Sequence, residues 1–358
     1  MTKCDYLLIA KTADAELKAL EESRESVKDN IYPLIELTRG RKIRGKDEYT
    51  FERHLAKVKE IFKDSVVGID LTSDLALTDT KIDELSSSEN GYQAWCNFLL
   101  ELKNENCFKK IIPTLQINGD DNNLLENFQK QLGFYTENGF KKVIFRFGPL
   151  SPFEQVLEFL TSRFPELSVD CVLDLGYVCG ATFTNLLTAA NVVIETVLTY
   201  PINSLYLAST SFPNNVAEIY GKEFFTFPLY EVLLYDQLRE VYPSILYSDY
   251  GSIHPRRNDT IVMARGWIPR IDLPDLHNMN YQRQRRAEGT TVYSPAYVKA
   301  AQEIIKKYPI PSYLDGNWGI EQIKRESSGF NVGSQPKFWI SVRMNIHIEN
   351  QCRRLKLI

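Results

Sequence analysis

Eight short apolar runs, each the length of a β-strand, lie within residues 1–250, and most are followed by a stretch with helical periodicity. The runs cover residues 6–10, 31–36, 66–71, 110–116, 143–147, 169–175, 204–208 and 245–249. Eight β/α units are the number that closes a parallel barrel. The sequence therefore predicts an α/β fold, a (β/α)8 TIM-like barrel over residues 1–250.

The rhythm changes after Gly251. Residues 254–271, 290–297 and 336–348 have the aromatic-rich pattern of antiparallel strands, and 298–307 and 319–325 that of helices. We expect residues 251–358 to form a C-terminal α+β extension packed on the barrel rim. The main alternative fold is an open doubly wound sheet. Against it, the first run is followed by KTADAE rather than a glycine-rich phosphate loop, and no Walker A pattern occurs.

Composition limits the classes of partner. A net charge of −4 and a pI of about 5.8 give no overall attraction to nucleic acid or membrane, so a polyanion would have to bind a local patch. The six cysteines form no CxxC pair, which favours free thiols in a reducing cytosol, without disulfides or structural zinc. The N-terminal apolar run is too short for a signal peptide or a membrane span. We expect a cytoplasmic protein with no membrane partner.

Polar residues stand where the apolar runs end. They are Lys11, Glu36, Asp70, Gln116, Arg146, Asp174, Ser209 with Ser211, and Asp249. In a parallel barrel the C-terminal strand ends meet at one rim, where the sites of such barrels lie. Burying so many charges is costly unless they pair. The sequence therefore predicts either mutual pairing or a bound polar ligand at the rim.

Four carboxylates are the candidate catalytic residues. Glu36, Asp70, Asp174 and Asp249 could act as acid/base groups. The first three could instead hold a divalent cation through oxygen ligands. Structural roles stay open beside these: a salt bridge of Glu36 to Arg39 or Arg41, or a latch to the extension made by Asp249. The cofactor is unknown, no metal ligand is assigned, and the histidine spacing does not fit zinc.

The candidate substrate-binding residues are cations, hydroxyls and a phenol: Lys11, Arg39, Arg41, Arg146, Ser209, Ser211 and Tyr250. Arg39 and Arg41 open a basic loop, continued by Lys42, Arg44 and Lys46, which is the best local case for an anionic partner. Arginines 256, 257, 283, 285 and 286 would add to it if they share the rim. The alternatives are a solvated loop, an Arg146–Asp174 ion pair and a serine-bonded turn.

An ordered set of segments, LLIAKTADAELKAL, PLIE, LDLG, STSFP and SDYG, resembles the phage T4-type Beta protein family over most of the chain. The matching positions are Glu36, Asp174, Ser211, Phe212, Pro213, Asp249, Tyr250 and Gly251, with Arg265 and Gly266. Arg265 joins the candidate binding residues on this ground. The resemblance implies a phage or mobile-element setting, and it implies no particular reaction.

Two functions from different classes follow. The first is a recognition component in phage–host conflict, in anti-phage defence or counter-defence, which binds an anionic ligand or a protein partner at the rim. Its ligand would bear phosphate or be a nucleic acid. The alternative is a phosphodiesterase- or nuclease-type hydrolase, or a lyase, acting on a phosphorylated substrate. A purely structural interaction protein is a third interpretation, in which the rim charges would pair with one another.

Overall fold

A computed structural model describes residues 4–43, 45, 49–117, 123–215, 223–257 and 266–358. Eight strands form the barrel sheet: β1 Tyr6–Lys11, β2 Tyr32–Leu37, β3 Val66–Leu71, β4 Lys110–Pro113, β5 Lys142–Phe147, β6 Ser168–Tyr177, β7 Ser204–Thr210 and β9 Leu246–Asp249. A second sheet contains β8 Phe224–Pro228, β10 Arg270–Pro274 and β11 Asn278–Arg283.

Helices connect and cover these strands. Those before residue 250 are α1 Asp14–Glu21, α2 Glu25–Lys28, α3 Phe51–Ile61, α4 Thr80–Leu85, α5 Gln93–Asn104, α6 Leu124–Glu137, α7 Phe153–Arg163, α8 Phe183–Val197 and α9 Tyr230–Val241. Those after it are α10 Ser294–Lys307, α11 Trp318–Ser327 and α12 Pro336–Arg354. Within the described ranges, no helix is both long and apolar enough to cross a membrane.

The large sheet is parallel and closes on itself. Its order is β4-β3-β2-β1-β9-β7-β6-β5. A parallel bridge between Thr114 and Ile144 joins the two edge strands, where the Leu115 N–H donates to the Ile144 carbonyl at 2.8 Å. The TIM-like barrel is therefore confirmed, and the open doubly wound sheet is excluded.

Strand pleating divides the barrel residues between two cores. Ile9, Leu34, Ile112 and Ile144 belong to a cluster that fills the interior, and their strand neighbours pack outward against the helices. Gly68 of β3 occupies a crowded interior position, because a Cβ there would lie 2.7 Å from the Ile144 side chain. Layers of alternate strand residues fill the barrel interior, as in other barrels of this type.

The second sheet and three helices, α10, α11 and one face of α12, make a separate apolar core. Strands β10 and β11 form an antiparallel ribbon. Strand β8 pairs with β11, although α9 and β9 lie between β8 and this ribbon in the chain. Ile271 and Leu273 of β10 face α10 and α11 in this core. The predicted helices at 298–307 and 319–325 are confirmed. The predicted strand at 290–297 is wrong, because α10 begins at Ser294.

Helix α12 returns from the extension to the outside of the barrel. The Asn345 amide donates to the Ala19 carbonyl of α1 at 3.1 Å, and Arg354 pairs with Asp236 of α9 at 2.9 Å. The helix thus lies beside β9, in the position where the helix after the eighth barrel strand is expected. The predicted strand at 336–348 is wrong. The division of the chain at residue 250 stays a prediction.

Candidate functional site at the barrel mouth

The mouth is lined by side chains that point inward from the C-terminal ends of the barrel strands. Each stands two residues beyond an inward-facing position of its strand, as Arg146 does beyond Ile144, so the pleat turns it into the barrel. We call this set the mouth ring. It consists of Lys11, Glu36, Asp70, Thr114, Arg146, Asp174 and Tyr250.

Arg146 is the centre of the mouth ring. Its Nη1 donates to Glu36 Oε2 and to Asp70 Oδ2, both at 2.9 Å. Its Nε and Nη2 donate to Asp174 Oδ2 at 3.0 and 2.8 Å, and Nη2 also donates to the Tyr250 hydroxyl at 2.9 Å. A guanidinium has five N–H donors. All five are used within the ring, so Arg146 keeps no free donor for a ligand.

The ring stabilises the ionised forms of Arg146 and Glu36. Burial alone would lower the pKa of Arg146, but Tyr250 and the carboxylates around it raise that pKa well above its ordinary value. Burial alone would raise the pKa of Glu36, but Lys11 and Arg146 lower it below its ordinary value. The Tyr250 hydroxyl donates to Asp174 at 2.5 Å. A preformed ion network therefore forms the floor of the mouth.

Lys11 connects this network to α1. Its Nζ lies 3.6 Å from Glu36 Oε1 and 5.4 Å from the centre of the Tyr250 ring. The Lys11 backbone N–H donates to the carboxylate of Glu16 at 2.6 Å. Burial raises the pKa of Glu16 to about 7, against the opposing effect of Lys11. Glu16 is thus a buried carboxyl group next to the ring that titrates near neutral pH.

The charges of the ring limit its chemistry. Two cations face three carboxylates, which leaves one net negative charge on the floor. Asp70 Oδ1 accepts hydrogen bonds from the Thr114 hydroxyl at 2.8 Å and the Gln116 amide at 3.4 Å, so its oxygens are engaged as well. The guanidinium of Arg146 occupies the position among the carboxylates that a divalent cation would take. Over the described ranges, no group of three or more His, Cys, Asp or Glu side chains is arranged to hold a metal ion.

A short segment, residues 251–257, lies across the mouth, and we call it the mouth strap. It leaves β9 through two left-handed residues, Gly251 and Ser252. The His254 ring lies 5.2 Å from that of Tyr177 in β6, and the Arg257 N–H donates to Asp74, just after β3, at 2.6 Å. Two strands separate β3 from β6 on one side of the barrel and four on the other. The strap therefore spans the mouth.

The basic loop after β2 and the mouth strap both contact the turn formed by residues 74–77. The Arg39 N–H donates to the Leu77 carbonyl at 2.9 Å, and its guanidinium lies over the Tyr49 ring at 5.0 Å. Arg257 binds the same turn through Asp74. The side chains of Arg41 and Arg256 are exposed. Arg44, Lys46 and Arg265 lie outside the described residues.

Asp249 points away from the mouth. It is fully buried on the outer face of β9, where it accepts hydrogen bonds from Tyr6 at 2.8 Å and Tyr247 at 2.9 Å. His347 Nε2 of α12 lies 2.7 Å from it, and the Gly251 N–H donates to it at 2.8 Å. Burial would raise the pKa of Asp249, but His347 and these bonds lower it below its ordinary value. We call these residues the buried cluster.

Ser209 and Ser211 lie on the outer face of the barrel wall, at the end of β7 and just after it. Ser209 is two residues beyond Leu207, which packs against the helices. Ser211 donates through its backbone N–H to Glu231 of α9 at 3.0 Å, and its hydroxyl binds the same carboxylate. Burial raises the pKa of Glu231. Neither serine joins the mouth ring.

The structure thus brings Lys11, Glu36, Asp70, Gln116, Arg146, Asp174 and Tyr250 together and places Asp249, Ser209 and Ser211 elsewhere. Sequence reasoning missed Glu16, Thr114, Glu231 and His347. A count of the pleat could have found Thr114, which is two residues beyond Ile112. No local signal marks His347, because its partner is 98 residues away in the chain.

The fold and the mouth define the class of protein: a (β/α)8 barrel whose C-terminal strand ends carry an arginine-centred ion network. A family model described as "Beta protein" matches residues 6–353. The chain therefore belongs to the Beta protein family.

A curated relative, "Protein beta" of Enterobacteria phage P4, is 27% identical over 355 residues, which are 97% of this chain and 92% of that protein. The family is thus phage-associated, and the phage that the comparison names is P4 rather than T4. No solved structure matches.

Proposed function

We propose that this chain is a cytoplasmic recognition component in phage–host conflict, and that its barrel rim binds a phosphate-bearing ligand or a nucleic acid. A protein partner on the same rim would complete the recognition. The phage association of the family supports the setting. The proposal assigns anion binding to the basic loop and the mouth strap, and it assigns no ligand contact to Arg146.

One observation carries the proposal: two basic segments from distant parts of the chain dock on the same turn at the mouth. The Arg39 N–H binds Leu77, and the Arg257 N–H binds Asp74. Their neighbours Arg41 and Arg256 have exposed side chains. Cations clustered at the mouth of a cleft attract polyanions even on a protein of negative net charge.

The saturation of Arg146 supports recognition over catalysis. Glu36, Asp70 and Asp174 would have to leave the guanidinium to bind a metal or to exchange protons with a substrate. The alternative of a hydrolase or lyase requires that rearrangement, and it predicts a ligand response that depends on a divalent cation.

Oligonucleotide binding at varied salt tests the proposal. A single-stranded 12-mer should bind the wild-type protein with a steep salt dependence. In the Arg41→Gln/Arg256→Gln double variant the slope of log K against log salt should fall by about 1.4, because each phosphate contact on a single strand contributes about 0.7. Both side chains are exposed, so the variant should fold normally.

The matched control is Lys63→Gln/Arg163→Gln. It removes the same charge from exposed positions just beyond α3 and at the end of α7, at the opposite end of the barrel from the mouth. An equal loss of slope in this control, or an unchanged slope in the rim variant, would overturn the proposal. Binding that disappears with chelator would overturn it in favour of the metal-dependent alternative.

A further inference from the structure

Three arginines meet between the antiparallel ribbon and the barrel. Arg270 of β10 and Arg283 of β11 are directly opposite in the ribbon register. Ile271 and Leu273 face the core of the extension, so the pleat turns Arg270 and Arg283 toward the other face. Like charges placed directly opposite on antiparallel strands are destabilising. The chain therefore maintains a repulsive pair at this position.

Arg343 of α12 reaches the same place from the barrel side. It is almost fully buried, with only 2% of its side chain exposed, and its Nη1 donates to Asp272 Oδ2 at 2.8 Å. Its guanidinium lies 3.5 Å from the centre of the Phe212 ring, just after β7, and its Nε donates to Ser252 of the mouth strap at 3.2 Å. The arginine cluster, Arg270, Arg283 and Arg343, thus adjoins the mouth.

Asp272 is the one carboxylate that forms ion pairs with the arginine cluster within the described ranges. Asp272 binds Arg270 through Nε at 2.8 Å and Nη2 at 2.9 Å, and it is the ion-pair partner of Arg343 as well. Across the described ranges, no ion pair joins Arg283 to a carboxylate; Glu223, the residue just before β8, has an exposed side chain and contacts Arg283 through the backbone. Three positive charges therefore share one negative charge.

The excess charge affects the titration of the cluster. Burial lowers the pKa of Arg343 to about 10, although Asp272 opposes the shift. Burial and the proximity of Arg270 and Arg285 also lower the pKa of Arg283. Uncompensated charge at a partly buried site costs free energy of folding. A bound anion would remove that cost.

We propose that the arginine cluster binds a terminal phosphate group, the dianion of a phosphate monoester. Two excess positive charges match the charge of a phosphate monoester at neutral pH. The planar forks of three guanidinium groups suit phosphate oxygens. The position beside Phe212 and the mouth strap would place the phosphate at the edge of the mouth. The proposal uses none of the side chains assigned to the rim above, so each proposal can fail alone.

Arg283→Gln separates a binding site from a merely structural cluster. Without ligand, the variant should melt at a higher temperature than wild type, because the substitution relieves repulsion with Arg270. With inorganic phosphate at pH 7.5, the wild-type Tm should rise and the variant should show at least tenfold weaker phosphate binding by calorimetry. Arg325→Gln, at an exposed position on α11, is the matched control and should bind phosphate as wild type does.

The identity of the anion is tested with related probes. Binding should weaken below about pH 6, where phosphate monoesters take up their second proton. A 5′-phosphorylated oligonucleotide should bind more tightly than its 5′-hydroxyl form, and Arg283→Gln should remove only this difference. Equal binding of acetate, or wild-type phosphate affinity in Arg283→Gln, would overturn the proposal. If Arg41→Gln/Arg256→Gln reduces the salt dependence of binding but keeps the preference for the 5′-phosphate, the result supports the arginine cluster as a separate phosphate site.

Discussion

Two polar networks begin at neighbouring residues and reach opposite faces of the barrel wall. Tyr250 points into the mouth, where its hydroxyl binds Arg146 and Asp174. Asp249 points outward, where it binds Tyr6, Tyr247 and His347. The mouth ring pairs three carboxylates with two basic residues and one tyrosine hydroxyl, whereas the buried cluster pairs one carboxylate with a histidine and two tyrosine hydroxyls. Strand pleating alone decides which residue joins which network.

The two networks differ in their access to water. In the mouth ring, 14% of the Arg146 side chain and 18% of the Asp174 side chain are exposed, whereas Asp249 and His347 are fully buried. A polar group that no water reaches depends entirely on its protein partners. We therefore expect the buried cluster to determine stability and the mouth ring to tolerate more change.

The largest effect should come from Asp249→Ala. It leaves His347 and two tyrosine hydroxyls without their common acceptor, and breaking a buried pair of this kind costs about 3–5 kcal/mol. Urea denaturation at pH 7.5 measures the loss of unfolding free energy. Asp83→Ala, an exposed aspartate of α4, is the control and should change stability by less than about 0.5 kcal/mol. Similar stability of the two variants would refute a structural role for the buried cluster.

Arg146→Met should have a smaller effect, about 2–3 kcal/mol at pH 7.5, because Glu36 keeps its ion pair with Lys11 and water partly solvates Asp70 and Asp174. The pKa of Glu36 is lower in the folded protein than its ordinary value, so ionised Glu36 stabilises the wild-type fold. This contribution is fully present above the ordinary pKa and is lost as the pH falls through the lowered pKa. The variant lacks the part of that contribution that comes from Arg146 and keeps the part that comes from Lys11.

The stability difference between wild type and Arg146→Met should therefore shrink from pH 7.5 toward pH 4. Denaturation curves at several pH values measure it, with Arg163→Met as the exposed control. A difference that stays constant over this range would mean that Arg146 does not stabilise the ionised carboxylates.

The smallest effect concerns Glu16. Its pKa of about 7 lies above the ordinary value, so its contribution to stability is complete below the ordinary pKa and is lost as pH rises through 7. Between pH 6 and 8 this contribution falls by about 1 kcal/mol. Glu16→Gln keeps an acceptor for the Lys11 N–H and cannot ionise. Its unfolding free energy should therefore change less over this interval, and an unchanged pH dependence would contradict the assignment.

The barrel strands could be predicted because they are buried on both faces and read as continuous apolar runs, as in β1 and β7. Helix α12 could not be predicted. Its apolar residues alternate at 338, 340, 342, 344, 346 and 348, which is the pattern of a strand, and most of its polar residues are buried against partners far away in the chain. A helix enclosed on nearly all sides lacks the polar face that gives helical periodicity.

The site was predictable in part for the same reason. Lys11, Glu36 and Arg146 each end a run with a charge, and the pleat brings them together. The sequence could not separate Asp249 from Tyr250, because both stand at the end of the eighth run and only the register of β9 assigns their faces. It also could not show that the five donors of Arg146 are occupied, since their partners lie 28 to 110 residues away.

The position of α12 has a consequence for synthesis. Asp249 joins Tyr6, 243 residues earlier, to His347, 98 residues later, so the barrel wall has its full set of partners only after α12 has left the ribosome. Until then Asp249 keeps its bonds to Tyr6, Tyr247 and the Gly251 N–H but lacks its histidine partner, and no helix covers the outer face of β9. A ribosome that stalls between β9 and α12 would thus present a barrel without its covering helix, which is a surface for chaperones and proteases.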